Sequence, residues 1–328
     1  MDRRSLLRSM TVLALAAPTA LGAQPSPRIR RIGWLYNGES FGNLDTFHDE
    51  MGLRRFGWIE RGNLVHEFGF SGGDASRMPA LAKELVDRKV DVLAPNGTVA
   101  ALAAQQATRT IPIVFWLVAD PVRVGLVQSL ARPGANVTGT TTMDVDLDRK
   151  RIQLLRELMP ALRRVGVLLV PSNPVERYRR ETYESFAPTL GIEPILVDVT
   201  SAADVERAVA EAAGRGAQVL HVSPDPILAN DASFPRILRA ARERSLPIMF
   251  DNGYWLDAGA LISCGPNGEE LTRSLAMLLD KVLRGAKPAD LPVVQARDIE
   301  IGVNLRVAKA LGITVPPALL VRANVVIE

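Results

Sequence analysis

Polar loops that follow short apolar runs carry the residues of this sequence that could bind a small molecule. Each run has the length and composition of a buried strand of a parallel sheet, and each loop stands where such a strand would end. In open α/β sheets, ligands bind beyond the carboxyl ends of the strands, where the loops of neighbouring units diverge. This rule selects the following candidate ligand-binding residues: Tyr36, Asn37, Ser40, Asn96, Gly97, Thr98, Asp120, Thr141, Ser172, Asn173, Asp225, Asp251 and Tyr254.

Two of these loops could bind an anionic group. Asn96-Gly97-Thr98 is expected to open a helix, whose free backbone N–H groups and positive end favour a carboxylate by about 0.3–1 kcal/mol. Thr98 could equally cap its own helix without contacting a ligand. Ser172-Asn173 repeats the arrangement later in the chain. An anion that bridged both loops would pull the two parts of the protein together.

Three aspartates could bind the opposite charge. Asp120, Asp225 and Asp251 could accept hydrogen bonds from an ammonium group or hydroxyls, each such bond contributing about 1.5–3 kcal/mol. Each could instead serve a turn beside proline or glycine. Asp225 ranks first because a proline on either side fixes its loop. Tyr36 and Tyr254 are placed to stack on a planar ligand.

An enzymatic interpretation competes with ligand binding. Residues 38–42 match the G-x-S-x-G turn that presents a nucleophilic serine, here Ser40, between a strand and a helix. A base must follow such a serine in the usual chain order, and of the three histidines His221 comes late enough. Ester hydrolysis that depends on Ser40 would support this alternative. The binding interpretation predicts that the protein is not an enzyme.

No cofactor or metal is expected from the spacing of the remaining residues. Residues 134–140 have the spacing of a phosphate-binding loop but lack its lysine. Three dispersed histidines and the single Cys264 do not form a metal-ligand pattern. A lone cysteine also excludes an intramolecular disulfide.

The loops belong to a unit that occurs twice in the chain. Three apolar segments of the first half, 30–35, 90–93 and 110–115, match 163–168, 217–220 and 245–250 in the same order. Amphipathic helical patterns separate them, which is typical of parallel sheets with helices on both faces. A length of 328 residues also favours two domains.

The sequence therefore predicts an α/β protein of two doubly wound parallel-sheet lobes joined by a multi-segment hinge. We expect lobe 1 to comprise residues 28–141 and about 262–286. Lobe 2 should comprise residues 142–261 and about 287–328, although the C-terminal tail could pack against either lobe. The cleft between the lobes would hold the candidate residues.

The N-terminal residues indicate export. Arg3, Arg4 and Arg8 precede an apolar run at 10–17 that is too short to span a bilayer, and small residues follow, so residues 1–23 read as a signal peptide. The arginine pair resembles a twin-arginine signal. We expect a periplasmic protein. The net charge of +3 lies partly in this segment, which leaves no charge argument for a nucleic-acid partner.

Several motifs resemble one family in collinear order from about residue 32 to the C-terminus. The motifs are Gly62-Asn63-Leu64, Asp120-Pro121-Val122, Gly125-Leu126-Val127, Asn136-Val137-Thr138-Gly139, Pro224-Asp225-Pro226, Gly265-Pro266-Asn267 and Lys287-Pro288-Ala289-Asp290-Leu291-Pro292. They resemble the ABC-transporter substrate-binding family typified by tryptophan/tyrosine-type periplasmic binding proteins.

The resemblance implies a type I periplasmic-binding fold and a function in transport. The protein would capture a small polar ligand, an amino acid or a related carboxylate, by hinge closure, and would meet the permease of an inner-membrane ABC importer transiently. It is expected to be a monomer. A periplasmic sensor that presents its ligand to a receptor kinase is a further alternative.

Overall fold

The computed structural model describes residues 28–41 and 44–328 of the chain. The expected signal peptide, 1–23, lies outside the described residues, as does Gly42 of the G-x-S-x-G motif. The strands are β1 Arg30–Tyr36, β2 Leu64–Phe70, β3 Val92–Asn96, β4 Ile113–Val118, β5 Val137–Thr141, β6 Arg164–Leu169, β7 Glu193–Asp198, β8 Val219–Val222, β9 Ile248–Phe250, β10 Ile262–Pro266, β11 Val294–Gln295, β12 Ile299–Asn304 and β13 Val325–Ile327. The α-helices are α1 Leu44–Glu50, α2 Met78–Asp87, α3 Gly97–Ala107, α4 Asp144–Leu158, α5 Glu176–Phe186, α6 Val205–Gly214, α7 Ser233–Arg242, α8 Gly268–Leu283, α9 Leu305–Ala310 and α10 Pro317–Arg322.

Two sheets built on the same plan confirm the predicted repeat. The first sheet contains the order β5-β4-β3-β1-β2 and the second the order β10-β9-β8-β6-β7, with parallel pairing throughout these runs. The matched apolar segments of the two halves form β1 and β6, β3 and β8, and β4 and β9. Buried apolar clusters cover both faces of each sheet, so the prediction of two doubly wound α/β lobes is confirmed.

The lobe boundaries differ from the predicted ones. Strand β10 pairs with β9 and with antiparallel β12, so residues 262–266 belong to the second lobe and not to the first. Helix α8 packs against β4 and β5 of the first lobe, and β11 extends that sheet beside β5, so the first lobe continues to residue 295. Strands β12 and β13 return to the second sheet. The chain therefore crosses between lobes at 142–143, at 267 and at 296–298.

A glycine near the carboxyl end of each sheet allows neighbouring backbone to approach closely. A Cβ atom added to Gly139 in β5 would lie 2.1 Å from the carbonyl oxygen of Phe115. One added to Gly265 in β10 would lie 1.6 Å from the carbonyl oxygen of Asp251. Both distances are far below contact, so each position requires glycine.

Among the described residues, none of the helices combines the length and the apolar character that a membrane-spanning segment needs.

Candidate functional site

A cavity of about 530 Å³ lies between the lobes at the carboxyl ends of the strands. Its volume is within the range of 300–1,000 Å³ that is typical of small-molecule sites. Both lobes contribute to its wall, as does Thr142 at the first crossing between them. The predicted residues found there are Tyr36, Asn37, Asn96, Gly97, Thr98, Asn173, Asp225, Asp251 and Tyr254.

Four predicted residues do not line this cavity, which differs from the sequence-based expectation. Asp120 is buried and stabilises its own turn, where it accepts a hydrogen bond from the Arg123 backbone N–H at 3.0 Å. The hydroxyl of Thr141 donates to the carbonyl oxygen of Val118 at 2.7 Å, and its neighbour Thr142 reaches the cavity instead. Ser40 and Ser172 are exposed outside the cavity wall.

The first lobe presents the start of helix α3 to the cavity. Gly97, the first residue of α3, has a φ of +77°, a left-handed conformation that glycine adopts without strain. Asn96, which precedes it, makes no side-chain hydrogen bond to the helix backbone. Thr98 is buried beside it. The N-terminal backbone N–H groups of a helix form a favourable environment for an anion.

Two aromatic side chains flank the cavity from opposite lobes. Tyr36 ends β1 and stacks on Phe41, with ring centroids 4.7 Å apart. Burial raises the pKa of Tyr36 to about 12, and the negative charges of Asp225 and Asp231 across the cleft add to the shift. Tyr254 of the second lobe is 75% exposed and meets Trp255 edge-on. Tyr36 therefore faces the charged wall of the second lobe, whereas Tyr254 remains accessible at the rim.

Asp225 lies on the second lobe's wall with defined partners. It accepts hydrogen bonds from the side-chain amide of Asn173 at 3.0 Å and from the backbone N–H of Ile227 at 2.9 Å. Burial raises the pKa of Asp225 above its usual value, although these two hydrogen bonds oppose the shift. Each carboxylate oxygen can accept a further hydrogen bond. Asp225 therefore retains the capacity to bind a donor in the cavity.

Asp251 reaches the cavity wall but its carboxylate is already occupied, contrary to its predicted role as a free acceptor. Arg151 Nε and Arg179 Nη2 each lie 3.1 Å from one of its oxygens, and His221 contacts it as well. Burial alone would raise the pKa of Asp251, but the two guanidinium groups outweigh burial and lower it. The Asp251 carboxylate therefore neutralises buried arginines below the cleft and is not free to bind a ligand.

Two residues of helix α5 were not anticipated. Glu176 and Arg179 line the cavity and are buried, with Arg179 Nε 3.3 Å from Glu176 Oε2. Ser223 donates a hydrogen bond to Glu176 Oε1 at 3.3 Å. Burial raises the pKa of Glu176 to about 8, with Arg179 opposing the rise and Asp225 adding to it. The rule that selects loops after strands does not include this pair, because both residues belong to a helix. Their position could have been inferred because this helix follows the predicted Ser172-Asn173 loop.

The same buried network contains a set of potential metal ligands. Carboxylate oxygens of Asp148 and Asp251 and a ring nitrogen of His221 lie within 4.8 Å of one another. Arg151 and Arg179 already pair with both carboxylates at 2.8–3.4 Å. Two guanidinium groups at these positions oppose the entry of a metal cation.

His221 is also the histidine that the serine-hydrolase alternative required. It is fully buried in the second lobe between Tyr183 and Asp251, whereas Ser40 is an exposed residue of the first lobe. Both ring nitrogens of His221 are therefore occupied by residues of the second lobe, Tyr183 and Asp251. The arrangement gives no support to that alternative.

Comparison with known proteins matches most of this chain to one described family. Residues 50–327 match the family of ABC transporter substrate binding proteins. A tyrosine-binding protein of Clostridioides difficile (strain R20291) is 29% identical over 256 residues, which is 78% of this chain and 72% of the relative.

Two solved structures differ in how well they superpose on this one. The ABC domain from Streptococcus pneumonia in complex with L-Trp is 26% identical and has a TM-score of 0.81, covering 91% of this chain and all of the other. A ligand-free, open substrate-binding protein with adhesive properties from Clostridium difficile is 28% identical but has a TM-score of 0.62, covering 92% of this chain and all of the other.

The two structures are nearly equal in sequence identity to this chain, yet the L-Trp complex superposes on it better than the ligand-free, open protein does. The repeat, the interlobe cavity and the match over residues 50–327 agree with one another. The chain belongs to the family of ABC transporter substrate-binding proteins.

Proposed function

We propose that this protein is exported to the periplasm as a monomer and captures an amino acid with an aromatic side chain for an ABC importer. The main support for this class of ligand is that the two lobes present surfaces of opposite charge preference to one cavity. An anion-favouring helix start faces it from the first lobe, and the Asp225 carboxylate faces it from the second. An amino acid has the matching opposite charges.

The carboxylate of the ligand would bind the backbone N–H groups at the start of α3. Gly97 has no Cβ, and a Cβ built there would meet nothing within 4 Å, so the approach to this backbone is open. The hydroxyl of Thr98 would add a donor. The helix end and the hydrogen bonds favour the charged form of the ligand carboxylate.

The aromatic side chain of the ligand would occupy the apolar part of the wall. Leu117, Val99 and Pro226 line it together with the ring of Tyr36. Offset or edge-on contacts between aromatic rings contribute about 0.5–1.5 kcal/mol beyond the area they bury. The relatives bind amino acids of this type: one is named for tyrosine, and the structure of another contains L-Trp.

Binding would close the hinge because the two charged ends of one ligand contact different lobes. A ligand shifts a conformational equilibrium by its differential affinity for the two states, and contacts to both lobes exist together only in the closed state. The closed form would then present both lobes to the permease in the inner membrane. No covalent chemistry is required of the protein.

Calorimetric titration of the mature protein with L-tryptophan and L-tyrosine tests the proposal. Binding of either is expected, and Asp225→Asn should weaken it by about 10- to 100-fold because a charge-assisted hydrogen bond is lost. Asp231→Asn is the matched control, an exposed aspartate close by that does not line the cavity. Its affinity should remain within about twofold of that of the original protein.

A ligand analogue separates the ammonium contact from general damage to the site. Indole-3-propionate retains the ring and the carboxylate of tryptophan but lacks the ammonium group. It should bind the original protein weakly, and Asp225→Asn should change that weak affinity little. Equal loss of affinity for both compounds in the variant would contradict the assigned contact, and absence of binding by both amino acids would contradict the ligand class.

A further inference from the structure

The second lobe buries more acidic groups than basic ones beside the cavity. Five carboxyl groups at or below the wall are at most 4% exposed: Asp144, Asp148, Glu176, Asp225 and Asp251. Two guanidinium groups, Arg151 and Arg179, are buried among them together with His221. Even a protonated His221 would leave an excess of negative charge if every carboxyl group were ionised. Uncompensated buried charge is strongly unfavourable, so protons or an external cation must balance it.

The acids differ in how fully the arginines satisfy them. Arg151 pairs with Asp144 at 3.0 Å and with Asp148 at 2.8 Å, and both arginines pair with Asp251. Two buried carboxylate oxygens have no hydrogen bond, Asp148 Oδ2 and Glu176 Oε2, and the contact of Glu176 with Arg179 Nε lacks the geometry of one. Of these two acids, Glu176 lines the cavity and Asp148 does not. The unsatisfied oxygen of Glu176 and the excess of negative charge therefore meet at the place where a ligand enters.

We propose that Glu176 and Asp225 together receive the ammonium group of the ligand and that Glu176 releases one proton to solvent as that group enters. This inference rests on the proposed function and identifies the second acid of its cationic subsite. The proton on Glu176 removes one unit of the excess negative charge in the empty protein. The ammonium group takes over that role in the complex, so the number of positive charges near the acids is conserved.

The electrostatic surroundings of Glu176 agree with this exchange. Burial raises its pKa to about 8; Arg179 on the same helix opposes the rise, and Asp225 after β8, Asp148 on α4 and Asp251 after β9 add to it. Across the cavity, the uncharged phenol of Tyr36 faces Asp225. An ammonium group beside Glu176 lowers this pKa. Proton release therefore accompanies binding between the lowered and the original pKa, and affinity rises with pH up to about 8.

Calorimetric titration with L-tryptophan in phosphate and in Tris buffer counts the released protons, because the two buffers differ in ionisation enthalpy. At pH 7 we expect about 0.9 proton per ligand, the protonated fraction of a group with a pKa of about 8. Affinity should rise about tenfold per pH unit between pH 6 and 7.5. Glu176→Gln should release almost no proton and should flatten the pH dependence.

The matched control is Glu184→Gln, an exposed glutamate on the same helix. It should retain both the proton release and the pH dependence. If Asp225→Asn instead of Glu176→Gln abolished the release, the assignment of the proton to Glu176 would be wrong. Tight binding with constant affinity from pH 6 to 8 would overturn the exchange while leaving the proposed function intact. Absence of binding at every pH would overturn both.

A measurement without ligand tests the protonated state of Glu176 directly. Its pKa is raised on folding, so the stability that it contributes is full below about 4.5 and is lost as the pH rises towards 8. Glu176→Gln removes that loss. The melting temperature of the variant relative to the original protein should therefore increase by about 5 °C from pH 5 to pH 8. A difference that is constant with pH would show that Glu176 is ionised in the empty protein and would contradict the exchange.

Discussion

The two lobes share a strand order but present opposite surfaces to the cavity. Among the described residues that line it from the first lobe, Tyr36 is the single side chain with an ionisable group, and the rest offer amides, hydroxyls, apolar groups and backbone. The second lobe contributes Glu176, Arg179, Asp225 and Asp251. A duplicated fold has thus placed the acidic side chains on one half, and the helix start that faces them on the other.

The same contrast continues in the buried polar groups of each lobe. In the first lobe, Trp34 Nε1 donates to His66 Nδ1 at 2.7 Å, so His66 carries its proton on Nε2 and donates it to His48 Nδ1 at 2.9 Å. His48 in turn donates to the carbonyl oxygen of Trp58 at 2.9 Å. This chain is satisfied with both histidines neutral. The second lobe instead relies on buried ion pairs.

The contrast indicates a division of labour between the lobes. In the proposed function, the neutral lobe can close over a ligand without bringing a new charge into the cleft, whereas the charged lobe would select the ligand. Buried ion pairs cost desolvation energy, and removal of one partner leaves a buried charge uncompensated. The second lobe should accordingly be the more sensitive to loss of a single charge.

Removal of Arg179 is expected to have the largest effect on this balance. Arg179→Met takes a guanidinium away from Asp148, Asp251 and Glu176 together. The variant should lose about 3–5 kcal/mol of unfolding free energy, because Asp148 and Asp251 keep only Arg151 as a buried cation and Glu176 keeps none. Urea unfolding monitored by circular dichroism measures the loss.

The neighbouring residue provides the control for Arg179. Arg180 pairs with Asp198 at 2.6 Å, and both side chains are largely exposed. Arg180→Met should cost less than about 1 kcal/mol. Similar losses of unfolding free energy in Arg179→Met and Arg180→Met would mean that the buried ion pairs of Arg179 contribute no more to stability than a surface ion pair does.

The neutral histidine chain of the first lobe predicts a specific loss of stability in acid. Burial, with a smaller effect of His48, lowers the pKa of His66 from 6.5 to about 4. The stabilisation is therefore complete above pH 6.5 and is lost as the pH falls towards 4, by about 3 kcal/mol in total. Unfolding free energies from pH 7 to 4 should show this loss in the original protein and a smaller one in His66→Gln. Parallel curves would contradict the neutral chain.

Much of the fold could be predicted because each strand of the repeat carries a local apolar signal. One exception is β10: residues 262–266 were placed with the first lobe, since neither their composition nor their position after the third matched strand specifies a partner. Its place is decided by the parallel pairing with β9, the preceding strand, and by the antiparallel pairing with β12, which comes from the C-terminal part of the chain. The repeat did contain the correct answer, because β10 occupies in its sheet the place of β5.

The candidate site was predictable where loops follow strands and less so where charges meet over long distances. Asp225 and Asn173 were identified because each follows a buried strand. Asp251 satisfied the same rule, yet arginines from α4 and α5 occupy it, and those partners lie 100 and 72 residues away in the sequence. Glu176 was not selected because it belongs to a helix and not to a loop that follows a buried strand. Sequence patterns report burial and turns, whereas pairing among buried charges depends on the packing of whole helices.

A glycine comparison tests whether the first lobe's surface depends on backbone geometry. Gly97→Ala should cost about 1–2 kcal/mol of unfolding free energy, because its φ of +77° is unfavourable for a residue with a Cβ although the space is open. Gly214→Ala, at the end of α6, also meets open space but lacks a positive φ, so it should be neutral or stabilise by up to about 1 kcal/mol. Equal effects measured by urea unfolding would contradict the conformational argument.

The smallest expected effect concerns a contact between the lobes at the rim of the cleft. The hydroxyl of Tyr178 on α5 donates to the carbonyl oxygen of Arg123 in the first lobe at 2.8 Å, and the Arg123 guanidinium lies 5.8 Å from the same ring. Tyr178→Phe removes the hydrogen bond and retains the ring. A contact that is present when the lobes meet should stabilise the closed form by about 0.5–1.5 kcal/mol, so the affinity for L-tryptophan should fall by about 2- to 10-fold. Small-angle scattering of the variant without ligand should show a more extended shape than that of the original protein, whereas identical curves and affinities would mean that the ligand alone holds the unlike lobes together.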